Sequence, residues 1–85
     1  MYSKQGTGAI DDFMTALYEL SQHGERSVSL GNIEVKTKLS KSQIMEITRQ
    51  AEEEGMIWDV SNFESPQRWL PRSTGISYAR SIIGR

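Results

Sequence analysis

The segment from Leu39 to Val60 leaves the chain least freedom. Ser40 is followed three residues on by Gln43, a capping box in which each side chain satisfies the other's backbone N–H at a helix start. Leu39 before the cap and Ile44 inside the first turn can close as a hydrophobic staple. Ile44, Ile47, Thr48 and Ala51 then recur at helical spacing, so this helix buries one face. Gly55 stops it. Met56-Ile57-Trp58-Asp59-Val60 follows at once and reads as a strand. A short one-faced helix is marginal alone in water, so the rest of the chain must supply the other side of its core.

The flanking segments provide that side. Ile10, Phe13, Met14, Leu17 and Leu20 make an apolar stripe that predicts a helix over about residues 9–23. Asp11 and Asp12 lie in its first turn, where carboxylates suit the helix dipole. Gly24 suits the left-handed position after its end, and His23 is expected to interact with the last carbonyls. Ser27 to Leu30 alternates like a short strand, and Ser29 can cap a second helix over Leu30 to Lys38. That helix is weakly coded, because Gly31, Asn32, Ile33, Val35 and Thr37 are mediocre helix formers. After Val60, the turn-rich run Ser61 to Pro66 leads to a second strand, Gln67 to Leu70, ended by Pro71. A last helix runs from Ser73 or Thr74 to Ile83. Residues 1–8 are polar and glycine-punctuated, which predicts a flexible N-terminal arm, leaving residues 9–85 as the domain. Gly6-Thr7-Gly8 lacks the rest of a phosphate-binding loop. The expected fold is mainly α with a small antiparallel β-hairpin (α+β). Its element order is that of a winged helix-turn-helix, with a three-helix core, a wing and a C-terminal helix.

Composition narrows the function. Eighty-five residues suffice for one small domain. With no cysteine there is no disulfide framework or thiol nucleophile, and the lone His23 cannot build a metal site. No apolar run exceeds three residues, which excludes a membrane span or signal-peptide core within the sequence. No serine sits in a nucleophile elbow, so the expectation is a binding protein without cofactor or metal, not an enzyme. A cytoplasmic protein of prokaryotic, archaeal or viral source fits the lack of cysteine. The formal net charge is −1, so any contact with DNA must use a local patch.

The run Ile33 to Ile57, IEVKTKLSKSQIMEITRQAEEEGMI, resembles the core signature of winged-helix transcription regulators of the MarR, PadR and related classes. Leu39-Ser40 before the third helix, Ile44 and Ile47 along it, and Glu52-Glu53-Glu54-Gly55-Met56-Ile57 leading into the wing strand carry the likeness. The ending Leu70 to Ile83 is similar too, with Gly75 one residue later than in those regulators. Lys38 replaces the usual turn glycine and must accept a left-handed conformation or reshape the turn. Glu34 replaces a small residue of helix two. Ala51 stands where leucine is common, a space that Trp58 or Trp69 can fill.

The resemblance implies a sequence-specific double-stranded DNA-binding regulator whose third helix enters the major groove. Lys41, Ser42 and Gln43 lie near that helix's N-terminus, with Ser40 as its cap, where backbone N–H groups welcome a phosphate. Ser42, Met45, Glu46, Arg49 and Glu53 face outward. Arg49 can fork onto guanine, Gln43 or Gln50 can pair with adenine, and Glu46 can accept from cytosine. Lys36, Lys38 and Lys41 are candidate phosphate contacts. On the wing, Asn62, Gln67 and Arg68 are candidates, Arg68 for a narrow minor groove. Phe63 and Pro66 are expected to stiffen the wing loop rather than wedge between bases. The acidic run Glu52 to Glu54 repels phosphate and limits how deeply the helix can lie. Residues 1–28 carry two positive and four negative charges, and residues 55–85 carry four arginines against Asp59 and Glu64. The wing and last helix are therefore expected to form the positive side. Ile76, Tyr78, Ala79, Ile82 and Ile83 cover more than one face of the last helix, which predicts a homodimer interface. The near-neutral charge and the acidic run support an alternative, a winged-helix module that binds a protein partner within a larger complex.

Overall fold

The computed structural model describes residues 4–84, with side chains from residue 8 onward. The elements are α1 (Lys4–Leu20), β1 (Val28–Ser29), α2 (Leu30–Thr37), α3 (Lys41–Glu53), β2 (Ile57–Asp59), β3 (Arg68–Pro71) and α4 (Ser73–Ile83). The three strands form one antiparallel sheet in the order β1-β3-β2. The result is an α+β fold whose helices pack on a small sheet.

Helix α1 differs from the expected helix at both ends. It begins at Lys4, so residues 4–8, expected as part of an arm, are helical. Residues 1–3 lie outside the described residues. It ends at Leu20, because the backbone turns left-handed at Gln22, His23 and Gly24, with φ of 55°, 65° and 101°. The fully buried Ser21 holds this turn: its hydroxyl donates to the Tyr18 carbonyl at 3.1 Å and accepts the Gly24 N–H at 2.9 Å. His23 contributes through its backbone, donating N–H to the Tyr18 carbonyl at 2.9 Å. Its imidazole is not aimed at the helix end as expected but stacks on the Tyr18 ring, with centroids 4.6 Å apart.

Ser29 caps α2 by accepting the Asn32 N–H. Lys38 closes it in the left-handed conformation (φ 65°), so the turn keeps its shape without glycine. Thr37 reinforces that turn, donating to the Ile33 carbonyl at 2.7 Å and accepting the Leu39 N–H at 3.1 Å. The Ser40–Gln43 capping box then starts α3 with both hydrogen bonds present. These local bonds fix the angle between α2 and α3.

The core joins Phe13, Met14 and Leu17 of α1 to Ile33, Ile44, Ile57 and Trp69. Trp69, not Trp58, is the tryptophan that enters the core alongside Ala51, and it meets Phe13 edge-on at 6.5 Å. Pro71 ends β3 as its last residue, paired with Ile57, so the strand spans Arg68–Pro71 rather than Gln67 to Leu70. Helix α4 crosses close over the start of β2. Arg72 N–H donates to the Met56 carbonyl at 2.8 Å, and the Thr74 hydroxyl donates to the Gly55 carbonyl. At Gly75 a Cβ atom would stand 2.1 Å from the Met56 carbonyl oxygen, so this position admits no side chain without movement.

Helix α4 spends its apolar stripe on its own chain. Ala79 is fully buried, Ile76 and Ile82 are half-buried, and Tyr78 donates its hydroxyl proton to Asp11 on α1. Only Ile83 of the expected dimer residues is exposed. Ala79 and Tyr78 of the expected dimer stripe thus serve the chain's own packing, while Ile76 and Ile82 are half-buried and Ile83 is exposed.

Candidate nucleic-acid interface

Helix α3 turns Ile44, Ile47, Thr48 and Ala51 inward and leaves Lys41, Ser42, Gln43, Met45, Glu46, Arg49 and Gln50 exposed. Rotation of 100° per residue accounts for this division. Gln43, Glu46, Arg49 and Gln50 are brought together along one shallow groove, floored by Ile47 and Ala9 of α1 and closed by Glu53. On its other flank α3 faces the β2–β3 hairpin across a second depression lined by Met45, Thr48, Arg49, Glu52, Asp59 and Trp69. Arg49 borders both grooves, so any ligand lying along α3 meets its guanidinium.

Charge on this face is mixed. Lys41 and Arg49 stand against Glu46, Glu52 and Glu53 on α3, with Glu54 at its C-cap. Partial burial and the nearby Asp59 carboxylate raise the pKa of Glu52 above its ordinary 4.5. The positive end of the α3 macrodipole lies at Lys41, Ser42 and Gln43, and the acidic residues gather at the other end. The helix therefore offers its N-terminal half, with Arg49, to an anionic ligand.

Other expected contacts are committed elsewhere. Lys36 pairs with Glu19 of α1 at 3.1 Å, on exposed side chains. It points at α1 because α2 places position 36 on the α1 side. Ser40 and Gln43 have their side-chain oxygens engaged in the capping box. Arg68 is half-buried and does not reach into the hairpin loop. Its Nε donates to the Ser27 hydroxyl at 2.9 Å and its Nη2 to the Ser27 carbonyl at 3.1 Å. The β1–β3 register, with Ser29 opposite Arg68, brings Ser27 within reach, and sequence spacing alone did not disclose it. Gln67 is half-buried with φ 59°, and its carbonyl accepts the Leu30 N–H. Lys38 and Lys41 remain exposed around the turn.

The arginines of the expected positive side meet neutral partners, which leave their charge in place. Arg68 is held by Ser27, Arg72 lies over the Trp58 ring at 5.2 Å, and Arg80 donates to the Tyr18 hydroxyl at 3.0 Å.

The loop between β2 and β3 is ordered by Asn62. Its Oδ1 accepts the N–H groups of Glu64 at 2.9 Å and Ser65 at 2.7 Å, while its own N–H donates to the Ser65 carbonyl. Phe63 does not stiffen this loop as expected, because its side chain is fully exposed, at 102% of its reference area.

Among the described residues no group of three or more His, Asp and Glu is placed to hold a metal, and no helix is long and apolar enough to cross a membrane. No protein-family model, curated protein or solved structure matches the chain.

Proposed function

We propose that the chain is a winged helix-turn-helix domain that binds double-stranded DNA as a transcription regulator, with α3 in the major groove and the β2–β3 hairpin as the wing. One observation carries this reading. A tight turn joins α2 to α3, and the dipole-positive start of α3, with Lys38 and Lys41, stands exposed, while Arg49 lies farther along on the flank that faces the β2–β3 hairpin. A helix held this way fits the width of the major groove, and its first turns present backbone N–H groups to phosphate. Lys38, Lys41 and Ser42 supply the phosphate contacts, and Arg49 reads a guanine edge. Arg68 leaves the set, since Ser27 holds it, while Lys36 stays exposed in a surface pair with Glu19.

The contact set holds the cations Lys38, Lys41 and Arg49, so few phosphates are neutralised. Binding then weakens between about 50 and 200 mM salt by less than the 10³–10⁵-fold loss typical of proteins making 6–10 phosphate contacts. The test is titration of a labelled duplex at both salts, beside Arg49→Ala. The reading predicts salt-sensitive binding that Arg49→Ala weakens. It fails if no complex forms at the lower salt.

The acidic flanks of Arg49 favour a second reading, a winged helix whose α3 grooves receive a protein segment. That reading predicts weak duplex binding that is indifferent to Arg49→Ala.

A further inference from the structure

The wing tip presents a contradiction to the usual work of such a loop. Glu64 is its one charged side chain between β2 and Arg68, Asp59 closes β2, and no cation lies in residues 57–67. Arg68, next in the chain, is held by Ser27. A phosphate clamp is therefore excluded on electrostatic grounds. Yet the loop is not idle. Asn62 fixes its backbone with three hydrogen bonds, and the residue it displays is an aromatic ring with no protein cover.

We infer that Phe63 is an apolar wedge that enters the minor groove and partly unstacks a base step beside the α3 contact. The inference rests on the DNA-binding reading. Apolar side chains inserted this way kink the duplex, and the cost of unstacking is lowest at flexible pyrimidine–purine steps. A rigid tip suits the task, because a wedge that must first be ordered loses affinity to entropy. Phe63 gains by leaving water whatever the salt, since burial of an aromatic ring involves no counterion. Its neighbour Glu64 is repelled by the flanking phosphates. Two adjacent residues are thus expected to act with opposite sign, Phe63 through contact and Glu64 through charge.

The experiment uses the whole chain and a duplex selected for binding it, with 2-aminopurine placed at successive steps in the flanks. Expected results are four. The wild-type protein raises 2-aminopurine emission at one flanking step. Phe63→Ala abolishes that rise and weakens binding by roughly tenfold, in the range of loss on removing a base–aromatic stack. The slope of log affinity against log salt stays the same for Phe63→Ala. Glu64→Lys tightens binding and steepens that slope. If the wild type binds while Phe63→Ala matches it in affinity and emission, the wedge is refuted and the DNA reading stands. If the wild type binds no duplex, both fall. A Phe63→Ala protein with an unchanged circular dichroism spectrum and Tm shows that any loss is not unfolding, as a fully exposed side chain should allow.

Discussion

Replacing Gly75 with alanine tests the packing of α4 with a single methyl group. The new Cβ would stand 2.1 Å from the Met56 carbonyl oxygen and 2.9 Å from Met14 Cε. The methionine tip can swing aside, but the carbonyl belongs to the backbone leading into β2. Relaxed carbon–oxygen contacts lie at about 3.3–3.6 Å, so α4 must retreat by roughly 1 Å. Such a shift stretches the 2.8 Å bond from Arg72 N–H to the Met56 carbonyl. Overpacking costs about 1–3 kcal/mol, and a weakened hydrogen bond about 1 kcal/mol more. Alanine's helix propensity returns at most about 1 kcal/mol. The net loss is about 1–3 kcal/mol, which lowers Tm by roughly 5–20 °C in a domain of this size. Urea unfolding followed by circular dichroism and by tryptophan fluorescence measures it, with the buried Trp69 reporting the core. Gly31→Ala is the control: a Cβ there meets nothing within 4 Å, and Gly31 lies in α2. It should raise stability by up to about 1 kcal/mol. A Gly75→Ala protein as stable as wild type would refute the close approach of α4.

Further outcomes follow from other contacts. Ser40→Ala removes one arm of the capping box and should cost about 1 kcal/mol in the same unfolding assay. Arg68→Ala should lower stability by about 1–2 kcal/mol through the lost bonds to Ser27, while leaving duplex affinity nearly unchanged. A large loss of affinity without a loss of stability would place Arg68 on the ligand instead. Glu52→Gln should raise Tm slightly at neutral pH. Because burial and Asp59 raise the pKa of Glu52 in the folded state, folding favours its protonated form, and stability is lost as pH rises through that pKa. The variant's advantage should therefore vanish as pH falls below the ordinary 4.5. A pH-independent difference would contradict the assigned cause.

What the sequence disclosed divides by range. The α3 start, its inward face and its stop were legible because capping box, stripe and glycine are signals within one turn or one helix. Ser29 capping α2 was legible for the same reason. The end of α1 was not: Ser21 reads as an ordinary helix-end serine until its hydroxyl is seen bonded to both Tyr18 and Gly24. Partners far apart in the chain were also hidden. Nothing in the spacing of Ser27 and Arg68 reveals that β1 pairs with β3, or that Lys36 reaches Glu19. The first ties down Arg68, a candidate DNA ligand, and the second pairs another, Lys36, at the exposed surface. The α4 stripe is ambiguous in another way, since apolar residues on two sides of a helix look the same whether they face another copy or fold back on α1. Phe63 read from the sequence as a stiffener of the loop. Its exposure became meaningful only when Asn62 was seen to order the loop around it.

The most direct test of the central claim is backbone amide shift mapping of the labelled protein against a short duplex at low salt. The account predicts that the largest changes fall at Lys38, Lys41, Ser42, Met45 and Arg49, with a second set at Phe63 and Glu64, while α4 stays still. Changes confined to α1 and α4, or none with a saturating duplex, would contradict it.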